Sequence, residues 1–579
     1  MPRDMFNLTM PEEIKAFEQM LIKLERGEIS MDDFKKFRLN NGTYGIRNSD
    51  DTHMMRIKCP LGVVNSDQLE AVAEVTEKFA PPKLAHVTTR QAFQIHRVKR
   101  SDVPKVLSIL AQSGLTTREA CGNTVRNVTA SPYAGVDPTE LFDVTPYAEV
   151  VMKYFLRNPL NQDLPRKFKI AFEGSQTKDY ARLPIHDIGA LAAVQKVDGK
   201  EVRGFKIYLG GGLGSHPISA VLLEPFTPVD LLLPTCEAAV RIHNRLGNRK
   251  NRSRARMKFL LEEWGEEKFR QTILAERTSV LLTRAGTAYR DFDITEEKAP
   301  AVSAKGEKVS SPEFEKWIKT NAFKQKQNGF YTVQIRCPLG DLTPAQLRGL
   351  AQIARKYCGG RLRTTITQNM VLRWVKEDLL GLVFKELQAI KLAFDGAEHF
   401  VDITRCPGSD TCNLAITKSR GLAQALDELF NNGLSEMSHD TDIDVKISGC
   451  PNSCGQHHIA SLGFYGTARQ VNGKLVPHYE MMVGGGTVHE KATFGQSAIR
   501  IPARRIPEAV KYLVSVYKKE RQTGETFQAY AHRLGPKAMG EKLAQFTTLD
   551  AFDQKPETYQ DWTEEAPFKL QVGKGECAA

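Results

Sequence analysis

The chain has 579 residues, 41% of them hydrophobic, so it can bury several cores and is too long for one. No stretch approaches the roughly 18 apolar residues of a membrane span, and the N-terminus lacks a signal-peptide core. We therefore expect a cytoplasmic protein. A net charge of +12 favours acidic partners, which include nucleic acid, acidic proteins and small anions. The densest basic run, residues 245–258, has no interleaved aromatic residues, so nucleic acid is not the expected partner.

The sequence contains an internal repeat. A shift of 278 residues places Met55 on Val333 and aligns MRIKCPLG with VQIRCPLG, and the segments after them, without a gap. Each copy has the pattern of an apolar strand, a Cys-Pro-Leu-Gly turn, an amphipathic helix and a further strand. Downstream, GFKIYLGGG at 204–212 matches HYEMMVGGG at 478–486. The chain is therefore predicted to be two copies of one α+β unit.

The repeat and the composition predict a segmental organisation. The segments, in chain order, are a helical N-terminal arm over 1–47, a ferredoxin-like half over 48–110, a larger domain over 111–297, a linker over 298–325, a second ferredoxin-like half over 326–390, a second larger domain over 391–540 and a tail over 541–579. The linker is inferred from its Pro, Ser, Lys and Ala content, and the tail from its charged, irregular sequence.

Four of the ten cysteines form two tight pairs. Five residues separate Cys406 from Cys412, three separate Cys450 from Cys454, and 37 lie between the pairs. Four thiolates are the usual ligand set of a four-iron cluster, and four also suit structural zinc. The five-residue loop fits zinc poorly, so the cluster is the favoured interpretation. The unclustered cysteines are interpreted as small hydrophobes: Cys59, Cys121, Cys236, Cys337, Cys358 and Cys577.

The first copy carries cations where the second carries cysteines. Arg126 in TVRNV aligns beside Cys406, and the segment 165–174 aligns beside 445–454. Residues two apart on an extended strand point to the same face, so Lys167 and Lys169 can approach one ligand together. One half is therefore predicted to hold a metal centre and the other half an anion.

The motifs TRCPGSDTCNLA and SGCPNSCGQHHIASLGFYG resemble the cluster-binding half of the sirohaem-dependent sulfite and nitrite reductases, whose pattern is C-x5-C followed by C-x3-C. The resemblance covers nearly the whole chain. It implies an α+β fold of two ferredoxin-like half-domains and two larger α/β domains, related by a pseudo-two-fold axis. The domain over 111–297 would bind sirohaem and substrate, and the domain over 391–540 would bind a [4Fe-4S] cluster and sirohaem.

The resemblance also implies site residues. The ligands of one [4Fe-4S] cluster would be Cys406, Cys412, Cys450 and Cys454, and Cys454 would also bridge to the sirohaem iron. The catalytic cations would be Arg56 in MMRIKCPLG, Arg126 in TVRNV, and Lys167 and Lys169 in LPRKFK. The residues that contact sirohaem would be Thr88, Arg90, Gln94 and His96 in TTRQAFQIH. Converging cations are costly without an anion, which the carboxylates of sirohaem and an oxyanion substrate would supply.

The implied reaction is six-electron reduction of sulfite to sulfide, with nitrite as the alternative substrate. Family members that resemble nitrite reductases tend to have Asn where Lys169 stands, and the extra charge suits sulfite, a dianion when fully ionised. Ser453 and Gln456 favour nitrite instead, because CPNSCGQ is closer to the nitrite-type motif than to the sulfite-type CPNGCGR. Electrons would come from an acidic external donor, ferredoxin or a separate flavoprotein, since no G-x-G-x-x-G element opens a strand-helix unit.

Several interpretations stay open. The basic run 245–258 would either dock the electron donor or hold sirohaem carboxylates. The glycines at 210–212 and 484–486 are expected to let the backbone approach the flat macrocycle. The oligomeric state stays open, although a monomer is compatible with the duplicated halves, which already supply the two-fold shell that a half-length protein would obtain by dimerising. The rival classes are a non-catalytic iron–sulfur or zinc protein that binds nucleic acid, and a tetrapyrrole-pathway oxygenase with different pocket cations.

Overall fold

A computed structural model describes residues 7–283, 285, 295–433, 442–573 and 575–576. The first ferredoxin-like region contains α1 (Pro11–Glu25), α2 (Met31–Asn40), β1 (Thr43–Ile46), β2 (Ser49–Ile57), β3 (Val63–Asn65), α3 (Ser66–Phe79), β4 (Ala85–Val87), β5 (Phe93–Lys99) and α4 (Val103–Gln112). The first larger domain contains β6 (Thr129–Ala130), α5 (Thr145–Phe155), β7 (Ile170–Glu173), β8 (Ile188–Val197), β9 (Lys200–Leu209), β10 (Val221–Leu222), β11 (Thr227–Pro228), α6 (Val229–Leu246), α7 (Lys258–Trp264) and α8 (Glu266–Val280).

The second half repeats this order of elements. Its ferredoxin-like region contains α9 (Pro312–Asn321), β12 (Ala322–Lys324), β13 (Phe330–Ile335), β14 (Asp341–Leu342), α10 (Pro344–Tyr357), β15 (Arg361–Thr364), β16 (Met370–Lys376) and α11 (Leu380–Ala389). Its larger domain contains β17 (Thr404–Arg405), α12 (Ser419–Gly433), β18 (Val445–Ser448), β19 (Leu462–Val471), β20 (Lys474–Val483), β21 (Gly486–Val488), β22 (Lys491–Thr493), β23 (Gln496–Pro502), α13 (Ile506–Glu520) and α14 (Phe527–Lys542). No helix within the described ranges has the length and apolarity needed to cross a membrane.

The two ferredoxin-like sheets exchange a short strand. The first sheet has the order β1-β2-β5-β4-β14, and the second has the order β12-β13-β16-β15-β3. Each half therefore lends the other the strand that follows its Cys-Pro-Leu-Gly turn. In both turns the leucine has a left-handed backbone, with φ of 58° at Leu61 and 57° at Leu339. Matching capping boxes, Asn65 with Gln68 and Thr343 with Gln346, then start α3 and α10.

The ferredoxin-like halves share one hydrophobic core. Val72 of α3, Phe93 of β5, Leu350 of α10 and Leu372 of β16 all belong to it, and each is fully buried. Each larger domain has a core of its own around its sheet. Strand exchange and a common core therefore join the two ferredoxin-like halves into one packed unit.

The larger domains have matching sheets. The strands run β10-β9-β8-β7-β6 in the first and β17-β18-β19-β20-β23 in the second. In each sheet two parallel pairings precede a long antiparallel hairpin, β8 with β9 and β19 with β20. The predicted duplication is thus visible in topology as well as in sequence.

The structure corrects two details of the predicted repeat. The offset of 278 holds for the turns and helices, but β5 and β16 start 277 residues apart, so one residue is missing after α10. The segment 165–174 is not equivalent to 445–454, because Ile170 of β7 corresponds in register to Val445 of β18. The cysteines follow their strands, whereas Arg126, Lys167 and Lys169 precede theirs.

Three predicted segments contain more regular structure than expected. The arm over 1–47 ends in β1, which pairs with β2, so the first sheet begins before residue 48. The linker over 298–325 is irregular only to residue 311 and then forms α9 and β12. The tail over 541–579 is largely exposed where it is described, but it is anchored at Tyr559, which is fully buried, and at Asp561, whose carboxylate accepts from Lys418 N at 2.9 Å.

The glycine runs pack closely against neighbouring backbone, and their approach to a macrocycle stays a prediction. A Cβ on Gly211 would lie 2.1 Å from the carbonyl oxygen of Pro184, and one on Gly485 would lie 2.6 Å from that of Ala460. Such distances exclude any side chain, so these glycines let each hairpin end cross the turn before it.

Candidate active site at the junction of the two halves

The two cysteine loops leave the same edge of the second large sheet. Cys406 directly follows β17, and Cys450 follows β18, the parallel neighbour of β17. The loops cross at glycines: a Cβ on Gly449 would lie 2.7 Å from Thr417 O and 3.0 Å from Gly408 Cα. The parallel strands and this close crossing bring the two cysteine pairs together.

The four thiols lie within electrostatic reach of one another. Burial, followed by the charge on Cys454 and Cys406, raises the pKa of Cys412 to about 11. The same causes raise the pKa of Cys450, on which Cys412 also acts. Gly449 N donates to Cys406 Sγ at 3.2 Å. Cys406 and Cys450 are buried, Cys412 is half-buried and Cys454 is exposed, so one thiol of the group faces outward.

This arrangement suits a cluster better than a single ion. Four thiolates around one zinc ion, with Zn–S bonds of about 2.3 Å, must lie about 3.8 Å apart. Among the described residues, no group of three or more His, Cys, Asp or Glu side chains is close enough to hold one metal ion. A four-iron cluster spaces its cysteine ligands more widely, which fits thiols that interact but do not converge. The unclustered Cys59, Cys121, Cys236, Cys337 and Cys358 are buried, and Cys577 lies outside the described residues.

One backbone carbonyl holds two of the predicted anion-binding arginines together. The Nη1 atoms of Arg56 and Arg126 both donate to Ala120 O, at 3.1 and 3.0 Å. Arg126 Nε also donates to Gly122 O at 2.9 Å. With its amide oxygen turned toward Arg56, Gln94 accepts from Arg56 Nε at 2.9 Å. Both guanidinium groups are therefore fixed before any ligand binds.

The buried carboxylate of Asp187 connects Lys169, directly before the first residue of β7, with Arg256. Asp187 Oδ2 accepts from the backbone N of Lys169 at 2.9 Å and from Arg256 Nη2 at 2.7 Å. Lys258 Nζ donates to Leu213 O at 3.2 Å. Arg256 and Lys258 belong to the basic run 245–258, so the end of that run enters the site. Its earlier part, residues 245–254, is largely exposed.

Mutual repulsion and burial act on these cations together. Burial, followed by the charge on Arg126, lowers the pKa of Arg90 to about 9. Burial and then Arg90 lower the pKa of Lys169 well below its usual value. Burial and then Arg256 lower the pKa of Lys258 to about 7. A group of cations held in this way is stabilised by a bound anion.

Unpartnered polar atoms around the cations also indicate a ligand. Within the described residues, the Nε donors of Arg90 and Arg256 are buried and have no hydrogen-bond partner. Buried polar atoms are normally satisfied, so orphaned ones in a cationic site favour a polar, anionic group there. The donor set fits the carboxylates that sirohaem would bring.

The loop that carries Cys454 contacts the first half beside Arg90. Thr89 Oγ1 donates to Cys454 O at 3.1 Å, and the adjacent Arg90 donates through Nη2 to Asn127 O. His458 Nε2 bonds Gly214 O at 2.9 Å, which joins the same loop to the first larger domain. The loop of Cys454 in the second half therefore packs beside the turn of the first half that carries Arg90.

The structure places Thr88 in a turn and His96 in a cavity, and their contact with sirohaem stays a prediction. Thr88 Oγ1 accepts from the N atoms of Arg90 and Ala92, at 3.3 and 3.1 Å, and so closes a turn. His96 lines a cavity of about 400 Å³ that none of the other predicted site residues lines. Burial, followed by the charge on His86, lowers the pKa of His96 to about 3. Sequence reasoning did not single out Asp187, Arg256 and Lys258, although the basic run contained a signal for the last two.

Family models match both halves of the chain. The model described as "Nitrite and sulphite reductase 4Fe-4S domain" matches residues 121–281 and 396–546. The model described as "Nitrite/Sulfite reductase ferredoxin-like half domain" matches residues 44–113 and 323–390. The chain belongs to the nitrite and sulfite reductase family. The predicted family and the duplicated α+β fold are thereby confirmed, and the protein is an oxidoreductase of a family with an iron–sulfur cluster domain.

Some relatives in the family are named as nitrite reductases and others as sulfite reductases. An assimilatory ferredoxin-dependent nitrite reductase of Haloferax mediterranei is 30% identical over 84% of this chain and 83% of its own. A chloroplastic ferredoxin–nitrite reductase of Zea mays is 32% identical over 75% of this chain and 73% of its own. A ferredoxin sulfite reductase of Mycolicibacterium paratuberculosis is 26% identical, over 83% and 82%. The solved NirA protein of Mycobacterium tuberculosis shares the fold, with a TM-score of 0.75, 24% identity and coverage of 91% and 95%.

Proposed function

We propose that this reductase carries out the six-electron reduction of sulfite to sulfide. The observation that carries the proposal is the group of fixed cations, Arg56, Arg126, Lys169, Arg256 and Lys258, beside the loop of the exposed Cys454 thiol. Sulfite has a higher charge than nitrite when fully ionised, so a site rich in cations favours it.

The chain's residues fit both cofactors that the family resemblance implies. Cys406, Cys412, Cys450 and Cys454 would hold a [4Fe-4S] cluster. Cys454, the exposed thiol, would also bridge to a sirohaem whose carboxylates Arg90 and Arg256 would bind. These groups supply electron storage and an iron site for the substrate.

The arginines and lysines have different tasks. Arg56 and Arg126 orient the oxyanion through guanidinium groups that Ala120 O already holds in place. Lys258 holds its Nζ proton up to about pH 7, because burial and then Arg256 lower its pKa, and burial and then Arg90 lower the pKa of Lys169 well below its usual value. Such ammonium groups can donate to an oxygen that leaves as water. The surrounding protein excludes bulk water and strengthens each of these interactions.

The electron donor is proposed to be an acidic ferredoxin. The related enzymes from Haloferax mediterranei and Mycolicibacterium paratuberculosis are both named as ferredoxin-dependent. A net charge of +12 favours association with an acidic protein carrier.

Nitrite is the second candidate substrate. The relatives at 30% and 32% identity are both named nitrite reductases, and they exceed the sulfite reductase at 26%. Nitrite is also an oxyanion that the same cations would bind. The two candidates differ in which anion is reduced more efficiently at the same site.

Steady-state kinetics with reduced methyl viologen would distinguish the two candidates. Sulfite and nitrite would be measured side by side for the wild type, Lys169→Asn and the exposed control Lys99→Asn. We expect sulfite to give the higher kcat/KM in the wild type and in the control. Lys169→Asn should reduce kcat/KM for sulfite about tenfold or more relative to nitrite, because one positive charge is lost at the substrate.

A wild-type preference for nitrite would contradict the sulfite assignment and favour the second candidate. An unchanged preference in Lys169→Asn would contradict the role of Lys169. A lack of activity on both anions in protein loaded with both cofactors would contradict the proposed function itself.

A further inference from the structure

The turn between β1 and β2 forms hydrogen bonds to the chain on both sides of Cys412. Arg47 N donates to Thr411 O at 2.9 Å. On the other side of the cysteine, Arg47 Nη2 donates to Ala415 O at 2.5 Å and lies 3.4 Å from Asn413 O. A residue of the first half therefore spans a cysteine loop of the second half.

The Arg47 guanidinium group also interacts electrostatically with two of the thiols. Burial lowers the pKa of Arg47, and charge on Cys412, Asp410, Asp561 and Cys450 opposes that effect. Two of these four groups are proposed cluster ligands. Arg47 Nε is buried and has no hydrogen-bond partner in the described part of the chain. A cation with an unused N–H donor thus lies beside the cysteines.

The C-terminal segment fixes the turn that carries Arg47. Gly573 N donates to Asn413 O at 2.8 Å, so the segment packs on the same loop that Arg47 grips. Three residues on, the Glu576 carboxylate accepts from Arg38 Nη1 at 2.8 Å and from Gly45 N. The ion pair of Arg38 with Glu576 is almost entirely buried. The loop, the turn and the segment therefore form one packed unit.

We propose that Arg47 raises the reduction potential of the cluster by holding a positive charge against it. This inference rests on the cluster of the proposed function. Reduction adds an electron to an assembly that four thiolates already make anionic, so a nearby cation stabilises the reduced form. Arginine keeps its charge at any pH at which the protein is folded. Net charge and hydrogen bonding to sulfur are known levers on cluster potential.

The test is a redox titration of the cofactor-loaded protein. The titration is monitored through the electron paramagnetic resonance signal of the reduced cluster. The variants are Arg47→Met, Arg47→Lys and the control Arg26→Met, whose side chain is exposed. We expect Arg47→Met to lower the midpoint potential by about 59 mV or more, a tenfold change in the one-electron equilibrium. Arg47→Lys should stay nearer the wild type, and Arg26→Met should match it.

An Arg47→Met potential equal to that of the wild type would overturn the inference. If that variant fails to load a cluster, Arg47→Gln serves as a second neutral replacement that can still donate to Ala415 O. The midpoint potential of the cluster in Arg47→Gln must also lie below that of the wild type, and an unchanged potential would overturn the inference. The iron content and signal of the wild type are read first. A wild type without the signal would contradict the proposed cluster, whereas a signal with an unchanged potential would contradict only the role of Arg47.

Discussion

At the residue scale, two shared hydrogen-bond acceptors hold the cationic residues of the site next to one another. Ala120 O takes a hydrogen bond from each of Arg56 and Arg126, and Asp187 Oδ2 takes one from Arg256 and one from the backbone of Lys169. Each acceptor offsets part of the repulsion that would otherwise separate its partners. Burial and then the remaining repulsion lower the pKa values of Lys169 and Lys258, which links the strength of anion binding to pH.

Lys258 should make anion binding sensitive to pH near neutrality. Its pKa of about 7 means that Lys258 is charged below that pH and loses its proton as the pH rises. Binding of an anion should therefore weaken as the pH rises through 7. Nitrite is the suitable probe, because it remains a monoanion across this range. We expect its KM to rise between pH 6 and 9 in the wild type.

Lys258→Arg is the matched variant for this prediction. Arginine keeps its charge throughout the range, so the rise in KM should flatten. The exposed Lys15→Arg serves as the control and should reproduce the wild-type profile. An identical profile in Lys258→Arg and the wild type would assign the pH dependence to another group.

Substitution should distinguish the cysteines that bind the cluster from those that only pack in a core. Cys412→Ala removes a proposed ligand and should abolish most of the cluster, measured as iron per chain and as absorbance in the visible region. Cys236→Ala is the control, because Cys236 is buried in the core of the first larger domain. That variant should lose stability and keep its iron. Full iron content in Cys412→Ala would contradict the ligand assignment.

At the element scale, the turns explain why the fold repeats so regularly. The Cys-Pro-Leu-Gly turn sets a left-handed leucine and a capped helix in both halves. These elements were predictable, because turn residues and helix caps act over a few positions. The glycine runs indicated a close backbone approach, and the structure shows one such approach to Pro184 and one to Ala460. A pattern of glycines indicates close approach and does not say what approaches.

Gly211→Ala should test the close approach of the hairpin end. The new Cβ would lie 2.1 Å from Pro184 O, so backbone must shift. We expect a loss of about 1–3 kcal/mol in the free energy of unfolding, measured by denaturant titration. In the control Gly495→Ala, the nearest atom would be 3.4 Å away. Equal stability of the two variants would show that the crossing tolerates a side chain.

The site was less predictable than the fold for a related reason. Arg56, Arg126, Lys167 and Lys169 could be proposed because they lie in motifs that the family resemblance covers. Asp187 has no motif around it, and its importance depends on two bonds to distant parts of the chain. Arg256 and Lys258 lay within a charged run whose neighbours are exposed, so sequence alone could not separate the two buried cations from the rest.

At the scale of the whole molecule, strand exchange joins the halves. Asp341 of β14 lies in the sheet of the first half, where its carboxylate accepts from Arg405 Nη2 at 2.6 Å and bonds His86 Nδ1 at 2.9 Å. Burial alone would raise the pKa of Asp341, but the charge on Arg405 and the bond from His86 hold it well below its usual range. The buried network thus connects both ferredoxin-like halves to the cysteine loop.

Asp341→Asn should destabilise the whole protein. The substitution leaves Arg405 buried without its charge partner, at a cost of about 3–5 kcal/mol in the free energy of unfolding. The ionised carboxylate stabilises the fold above its unfolded pKa of about 3.9, and that contribution is lost as the pH falls. Acid sensitivity should therefore be smaller in Asp341→Asn than in the exposed control Asp51→Asn. Denaturant titrations at pH 7 and at about pH 3, below the unfolded pKa of the carboxyl, would measure both effects, and equal stability of the two variants at pH 7 would contradict this account.

The central claim is that thiols of one half and cations of the other form one sulfite-reducing site. Electron stoichiometry tests it most directly. Reduced methyl viologen would be oxidised by the loaded wild-type protein with limiting sulfite, and the sulfide formed would be quantified. The account predicts six electrons consumed for each sulfide released. Protein that carries both cofactors and oxidises no viologen with sulfite, or releases no sulfide, would contradict the claim.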